Sequence, residues 1–145
     1  MILRTLARIV LAAFLLFAGS AHFFARTTFH AQVPPWLPLN ADVVVIASGV
    51  VELALGAALL LWARRRAAVG WVVAAFFVAV FPGNVSQFLT HTAAFGLDTD
   101  TARGIRLLFQ PVLVAWALWC TGAWSAWRQR ARGRPSSARS DCDPA

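Results

Sequence analysis

Four long apolar runs dominate this chain of 145 residues and leave few folds open to it. They lie at about residues 6–24, 43–62, 67–89 and 105–127. Each is close to the ~20 residues that an α-helix needs to cross a hydrocarbon core about 30 Å thick. None alternates between apolar and polar residues, and each is far longer than the ~10 residues of a barrel strand. The runs therefore predict an all-α bundle of four transmembrane helices within a domain at residues 1–127.

The composition makes lipid, rather than water, the solvent of this domain. Of the residues, 59% are apolar and only 13% are charged, and the mean hydropathy is +0.66. A water-soluble domain of this size could not bury that much apolar surface, so the first expected partner is the lipid bilayer. The net charge of +7 would suit a nucleic-acid partner. The arginines flank the apolar runs instead of lining one soluble face, so no nucleic-acid binding is expected.

The arginines also predict the orientation. Three of them, Arg26, Arg103 and Arg106, belong to one face, and the other ten belong to the N-terminus, the second connection and the C-terminal tail. The positive-inside rule then places both termini in the cytoplasm. All 13 basic residues are arginine, which we interpret as the mark of a GC-rich bacterial genome, and hence of a bacterial cytoplasmic membrane. Residues 128–145 are expected to form a basic, disordered cytoplasmic tail.

The first apolar run and the two cysteines each allow more than one interpretation. The first run resembles a signal peptide, because Arg4 and Arg8 precede it and small residues follow its middle. It continues to Phe24, beyond the usual h-region of about 7–15 residues, so we expect it to be retained. Cys120 and Cys142 have no partner at a plausible spacing, which predicts two unpaired thiols.

Glu52 is the residue that points most directly to function. It lies at the centre of the second run, where a charged side chain costs about 2.5–3.5 kcal/mol even on the insertion scale. The residues at minus three and plus four are Gly49 and Gly56, so the carboxyl shares a face with small residues. Another helix or a ligand can approach closely along that face. We therefore expect Glu52 to face the interior of the bundle.

Possible partners for Glu52 lie in the outer half of the other three helices. They are His22, Asn84, Gln87, Arg106 and Gln110. The pattern predicts a ligand-binding polar cluster, with Arg106 too shallow to pair with Glu52 unless the helices are staggered. The alternative is that these groups are interhelical glue, with hydrogen bonds worth about 0.6 kcal/mol each. No metal site and no catalytic residue is expected, because a helical His pair and a Ser/His/Asp arrangement are both missing from the sequence.

The first outer connection is rich in proline. Three prolines in five residues, at 34, 35 and 38, forbid a regular helix and favour a stiff, extended segment. We expect Trp36 and Leu37 within it either to rest on the outer membrane interface or to cover the mouth of the bundle.

Five motifs in order along the chain resemble those of DoxX-like membrane proteins. They are AGSAHF at 18–23, VPPWLP at 33–38, SGVVELALG at 48–56, FPGNV at 81–85 and RLLFQP at 106–111. The resemblance covers roughly residues 3–127 and implies a four-helix membrane fold. The family takes its name from a small subunit associated with a thiosulfate:quinone oxidoreductase, so it also implies a link to redox complexes. It strengthens the grouping of His22, Glu52, Asn84 and Gln110 as one site.

Three functions are consistent with these features. The leading one is a non-catalytic subunit or binding protein whose outer-half pocket holds a quinone or another lipid-like molecule, accessory to a membrane redox complex. The second is a small proton-linked transporter in which Glu52 changes protonation. The third is a structural anchor for a soluble partner. A redox-enzyme partner or a homo-oligomer is compatible with each of them.

Overall fold

The computed structural model describes residues 2–92, 96 and 99–132. Its helices are α1 (Ile2–Phe24), α2 (Arg26–His30), α3 (Ala41–Leu61), α4 (Arg66–Leu89), α5 (Asp100–Thr121) and α6 (Ala123–Arg132), with a 3-10 turn at Ala63–Arg65. No strand occurs in the described part of the chain. Four helices, α1, α3, α4 and α5, are long and apolar enough to cross a membrane. The predicted all-α, four-span architecture is confirmed.

The surface of the bundle needs lipid around it. Only 22–28% of the most apolar window of each span is buried within the chain. Large apolar side chains halfway along the spans are exposed, among them Val50 (54%), Val78 (60%) and Val112 (53%). Contiguous apolar surface of this extent is not tolerated in water. The chain is therefore a multi-pass membrane protein.

The four spans are organised as two helix pairs. α1 packs along α3, which we call the first pair, and α4 packs along α5, the second pair. Both pairs are antiparallel and close. In the first pair, the Gly49 backbone lies against α1, because a Cβ there would be 2.7 Å from the His22 Cβ. In the second pair, Gly70 leaves room for the buried side chain of Thr121. Small residues let the backbones approach, as is usual in membrane bundles.

The two ends of the bundle differ in character. One end carries Arg4 at the start of α1 and the three arginines at 64–66, the last of which begins α4, and we call it the arginine-rich end. The other carries residues 25–40, and we call it the proline-rich end. The half of the bundle next to the arginine-rich end is closed by a fully apolar core. Its most buried side chains are Leu11, Leu15, Leu59, Val73 and Ala117.

Arg8 connects the two helices of the first pair at the arginine-rich end. Its guanidinium donates to the Leu59 carbonyl over 2.7 Å, and Leu59 belongs to the last turn of α3, whose carbonyls lack helical partners. Hydrogen bonds from charged groups contribute about 1.5–3 kcal/mol. We expect Arg8→Leu to lower the free energy of unfolding by that amount, measured by thermal melting in detergent. Arg64→Leu, at an exposed turn position, should change the free energy of unfolding little. Equal losses of stability in the two variants would contradict a capping role for Arg8.

The fourth predicted run differs most from its expected bounds. The single helix expected at 105–127 is two helices, since α5 ends at Thr121 and α6 follows. Gly122 makes the break, because its φ of 73° lies in the left-handed region that favours glycine at a helix end. Helix α6 continues to Arg132, so residues 128–132 are helical rather than disordered. The rest of the predicted tail, residues 133–145 with Cys142, lies outside the described residues.

The connection between α1 and α3 also contains an element that the prolines did not suggest. Residues 26–30 form the short helix α2, and the proline-rich stretch after it runs through turns to Asn40. The Asn40 side chain then accepts from the Asp42 amide and caps α3. This cap fixes the point at which the connection ends and α3 begins.

Candidate functional site

A cavity of about 470 Å³ lies between the two helix pairs, in the half of the bundle next to the proline-rich end. Its lining is mostly apolar, and it is partly open to the surroundings. Polar side chains enter it from both pairs and from the connection above, namely His22, Gln32, Ser48, Glu52, Asn84, Arg106 and Gln110. Trp36 and Leu37 also line it, which agrees with their expected placement at the mouth of the bundle.

The first pair contributes His22 and Glu52 to the cavity. His22 Nε2 lies 3.5 Å from Glu52 Oε2, and the two side chains are 9% and 13% exposed. The contact is possible because glycines face it on both helices. A Cβ on Gly19 would lie 3.0 Å from the Glu52 Cβ, and one on Gly49 would be closer still to His22. The glycines on the facing sides of α1 and α3 therefore let the two ionisable groups lie side by side.

The orientation of the His22 ring is fixed by its surroundings. Its Nδ1 lies 3.0 Å from the Val45 carbonyl, and because a carbonyl only accepts, Nδ1 carries a proton and donates. The ring also stacks on Phe29 of α2, with 3.8 Å between the centroids. Nε2 is therefore the atom left to face Glu52. In the neutral ring this nitrogen is an acceptor, and in the imidazolium it is a donor.

Glu52 is the incompletely satisfied member of this pair. Its Oε2 is buried and accepts no hydrogen bond from any residue that the structure describes. The 3.5 Å to His22 is within ion-pair range but longer than a well-formed N–H···O bond. A buried carboxyl oxygen without a hydrogen bond is costly, and a donor group on a ligand would remove that cost. The atom that needs this partner lines the cavity.

The second pair contributes a separate polar chain on the facing wall. Asn84 of α4 donates to the Gln110 side-chain oxygen over 3.0 Å and accepts from Arg106 Nε over 3.2 Å. The Gln110 amide in turn donates to the Phe77 carbonyl over 2.5 Å. Pro82 lacks the N–H that would bond to the Val78 carbonyl, so the Phe77 carbonyl lies directly beside the turn that Pro82 loosens. These hydrogen bonds therefore join α4 to α5 beside the cavity.

Gln32 of the first connection completes that wall and was not predicted. Its side-chain oxygen faces and accepts from the Arg106 guanidinium, the only amide orientation that avoids two facing donors. Its backbone rests on α4 at Gly83, where a Cβ would be 2.7 Å from the Gln32 carbonyl oxygen. No periodicity marks a loop residue of this kind. The glycine after Pro82 was the one available signal of a close backbone approach.

The structure brings five of the six predicted site residues to one cavity and separates the sixth. Gln87 is 2% exposed, and its amide donates to the Thr92 carbonyl over 3.3 Å. It lies about one turn beyond Asn84, near the end of α4, and does not line the cavity. Asn84 and Gln110 bond to each other rather than to Glu52. The predicted cluster is thus two clusters, one on each helix pair, across a shared space.

Two other features of the described residues bear on the chemistry. Residues 2–92, 96 and 99–132 contain no group of three His, Cys, Asp or Glu side chains that could hold a metal ion. Cys120, a free thiol, is buried in the apolar core and away from the cavity. The cavity offers hydrogen bonding, charge and apolar surface to a ligand.

Comparisons with known proteins identify a family without adding an activity. No curated protein matches the chain, and no solved structure matches it. One family model matches residues 11–121, and its description is Domain of unknown function (DUF8561). The match covers all four spans apart from the beginning of α1, before residue 11. That match includes every residue of both polar clusters. The chain therefore belongs to the DUF8561 family.

Proposed function

We propose that this protein is a non-catalytic binding protein or subunit that holds a quinone, or another lipid-like molecule, in the cavity between its helix pairs. Ligand sites are mostly apolar with a few convergent polar groups, and their volumes run from about 300 to 1,000 Å³. The cavity of about 470 Å³ has both properties. A molecule that already partitions into the bilayer can reach it from the membrane.

The observation that carries this proposal is the buried Oε2 of Glu52, which accepts no hydrogen bond from the described residues. A hydroxyl group of a quinol, or of another lipid-like alcohol, would donate to this oxygen and remove the cost of burying it alone. The facing wall holds Asn84, Arg106 and Gln110, which could interact with a second oxygen across the ring of the same ligand. A quinone has two such oxygens on an apolar ring, which matches polar groups on two walls of an apolar space.

The resemblance to DoxX-like proteins supports the same proposal from the sequence. Under this proposal, the protein lies in a bacterial cytoplasmic membrane, with the arginine-rich end and both termini in the cytoplasm. Its partners would be a membrane redox enzyme or further copies of itself. Affinity purification from native membranes tests the partner, since a redox enzyme that co-purifies in fixed proportion is the expected result.

A proton-linked transporter is the weaker alternative. It needs a path from Glu52 to both faces of the membrane. Towards the arginine-rich end, that path would cross the core layer, where Leu11, Leu15 and Val73 are 0% exposed. Proton flux into liposomes that disappears in Glu52→Gln would favour the transporter over the binding protein.

Direct binding tests the proposed function. We expect organic extracts of the purified protein to contain quinone, and a short-chain quinone added to delipidated protein to quench tryptophan fluorescence saturably. Trp36 lines the cavity, so Trp36→Phe should remove a large part of the quenching while the extracted quinone remains. Trp62→Phe, at the opposite end, is the matched control and should leave the quenching unchanged. Failure to find quinone or lipid in the extract, together with linear quenching, would refute the proposal.

A further inference from the structure

A second depression lies on the membrane-facing side of the second pair. It is a groove of about 660 Å³ along α5, with Val78 and Phe81 of α4 at the end near mid-membrane and with α6 and Arg4 of α1 at the arginine-rich end. Its walls are almost entirely apolar, and they include Val78, Pro111, Val114 and Trp119. Gln110 lies between this groove and the cavity, since it lines both. The groove is a separate space with a different character.

The length of the groove matches the depth of one leaflet. Along α5 it extends from Gln110, near mid-membrane, to Gly122, where the helix ends. At about 1.5 Å per residue those positions are about 18 Å apart. Half of a hydrocarbon core of about 30 Å is about 15 Å. A groove that starts at the midplane and ends at one surface fits a single acyl chain better than a helix that crosses the whole membrane.

The end of the groove nearest the surface carries the groups that a phospholipid headgroup requires. Arg4 lines this end, together with Trp124 and Ser125 of α6. Indole rings favour the headgroup level, and an arginine near the surface attracts anionic lipid. The first half of α6 thus faces the groove, and its later residues Arg128 and Arg130 extend the positive charge along the same end. Charge is confined to the headgroup end, and apolar surface fills the rest.

We propose that this groove is a binding site for one anionic phospholipid of the leaflet at the arginine-rich end. The acyl chain lies along α5 and reaches Val78 and Phe81 of α4, and the phosphate lies beside Arg4 at the start of α6. The break at Gly122 is what creates the site, because it turns α6 across the end of α4 instead of continuing the α5 axis. This site is independent of the cavity between the helix pairs.

The test uses fluorescence quenching by brominated lipids. The full-length protein in phosphatidylcholine bilayers receives increasing fractions of phosphatidylglycerol with brominated chains, or of brominated phosphatidylcholine. Because Trp119 and Trp124 line the groove, bromine inside it quenches them. We expect an apparent association about five-fold stronger for phosphatidylglycerol, the effect of one arginine near the surface. Arg4→Gln should remove this preference.

Two further variants keep the proposal falsifiable. Arg64→Gln removes the same charge from the same end without touching the groove, so the preference should remain. Ala115→Phe fills the groove and should reduce quenching by both lipids, whatever their headgroup. If Arg4→Gln and Arg64→Gln lose the preference for phosphatidylglycerol equally, the preference arises from general surface charge, and the proposed site is overturned. Quenching that appears only when the protein is diluted in the bilayer would assign the groove to a second copy of the chain, and would also overturn it.

Discussion

Glu52→Leu is expected to raise the melting temperature of the protein and to weaken ligand retention at the same time. The substitution removes a buried oxygen that accepts no hydrogen bond from the described residues, and leaving such a group unsatisfied costs about 1–3 kcal/mol. The free energy of unfolding in detergent should rise by that amount. A ligand loses its hydrogen bond to the carboxyl, so its affinity should fall by about ten-fold or more.

Glu52→Gln separates shape from chemistry at the same position. The amide keeps the length of the side chain and an oxygen that accepts, but it carries neither a charge nor an exchangeable acid proton. We expect its melting temperature to lie between those of wild type and Glu52→Leu, with ligand retention reduced but measurable. His22 keeps its bond to the Val45 carbonyl in both variants, so neither should unfold the first pair.

The control for both substitutions is Val51→Leu. Val51 is 41% exposed on the lipid-facing side of the same helix, so this change should alter neither melting nor retention. A Glu52→Leu protein that melts below wild type and retains the same ligands would show that the acid is a structural contact. The opposite directions expected for stability and retention are what distinguish a binding site from interhelical glue.

The spans could be predicted from the sequence because the bilayer imposes one length and one polarity on every helix that crosses it. The apolar runs therefore agree with α1, α3 and α4 within a few residues. The break in the fourth run was missed, since Gly122 sits inside a stretch that remains apolar and rich in tryptophan on both sides. A hydropathy profile does not detect a residue with a left-handed backbone conformation. Gly122 by itself is nevertheless a sufficient local cause of the break.

Most residues of the candidate site could be predicted from the sequence, but their hydrogen bonds to one another could not. The cost of a buried acid identifies Glu52, and the glycines around it identify the face on which it lies. Which polar group meets which depends on helix rotation and stagger, which the sequence does not specify. The two-pair packing joins Asn84 to Gln110 and leaves Glu52 to His22. Gln32 enters from a connection whose path follows from tertiary contact alone.

Gly49→Ala is expected to destabilise the fold strongly, although it adds only one methyl group. The new methyl group would lie 2.7 Å from the His22 Cβ and 3.0 Å from the Gly19 carbonyl oxygen. Neither atom is at the end of a flexible side chain, so α1 must move away from α3. Overpacking of this kind costs about 1–3 kcal/mol. The same movement displaces His22 from Glu52, so ligand retention should fall together with the melting temperature.

Gly104→Ala is the matched control in another helix. Its new Cβ would meet only the Phe88 ring, at an ordinary 3.8 Å, so no displacement is required. Alanine is favoured over glycine in a helix by about 0.5–1 kcal/mol, and this variant should therefore melt at or slightly above wild type. Thermal melting and quinone extraction on both variants decide the matter. A Gly49→Ala protein as stable as Gly104→Ala would mean that the two helices of the first pair are not held at the distance that positions His22 against Glu52.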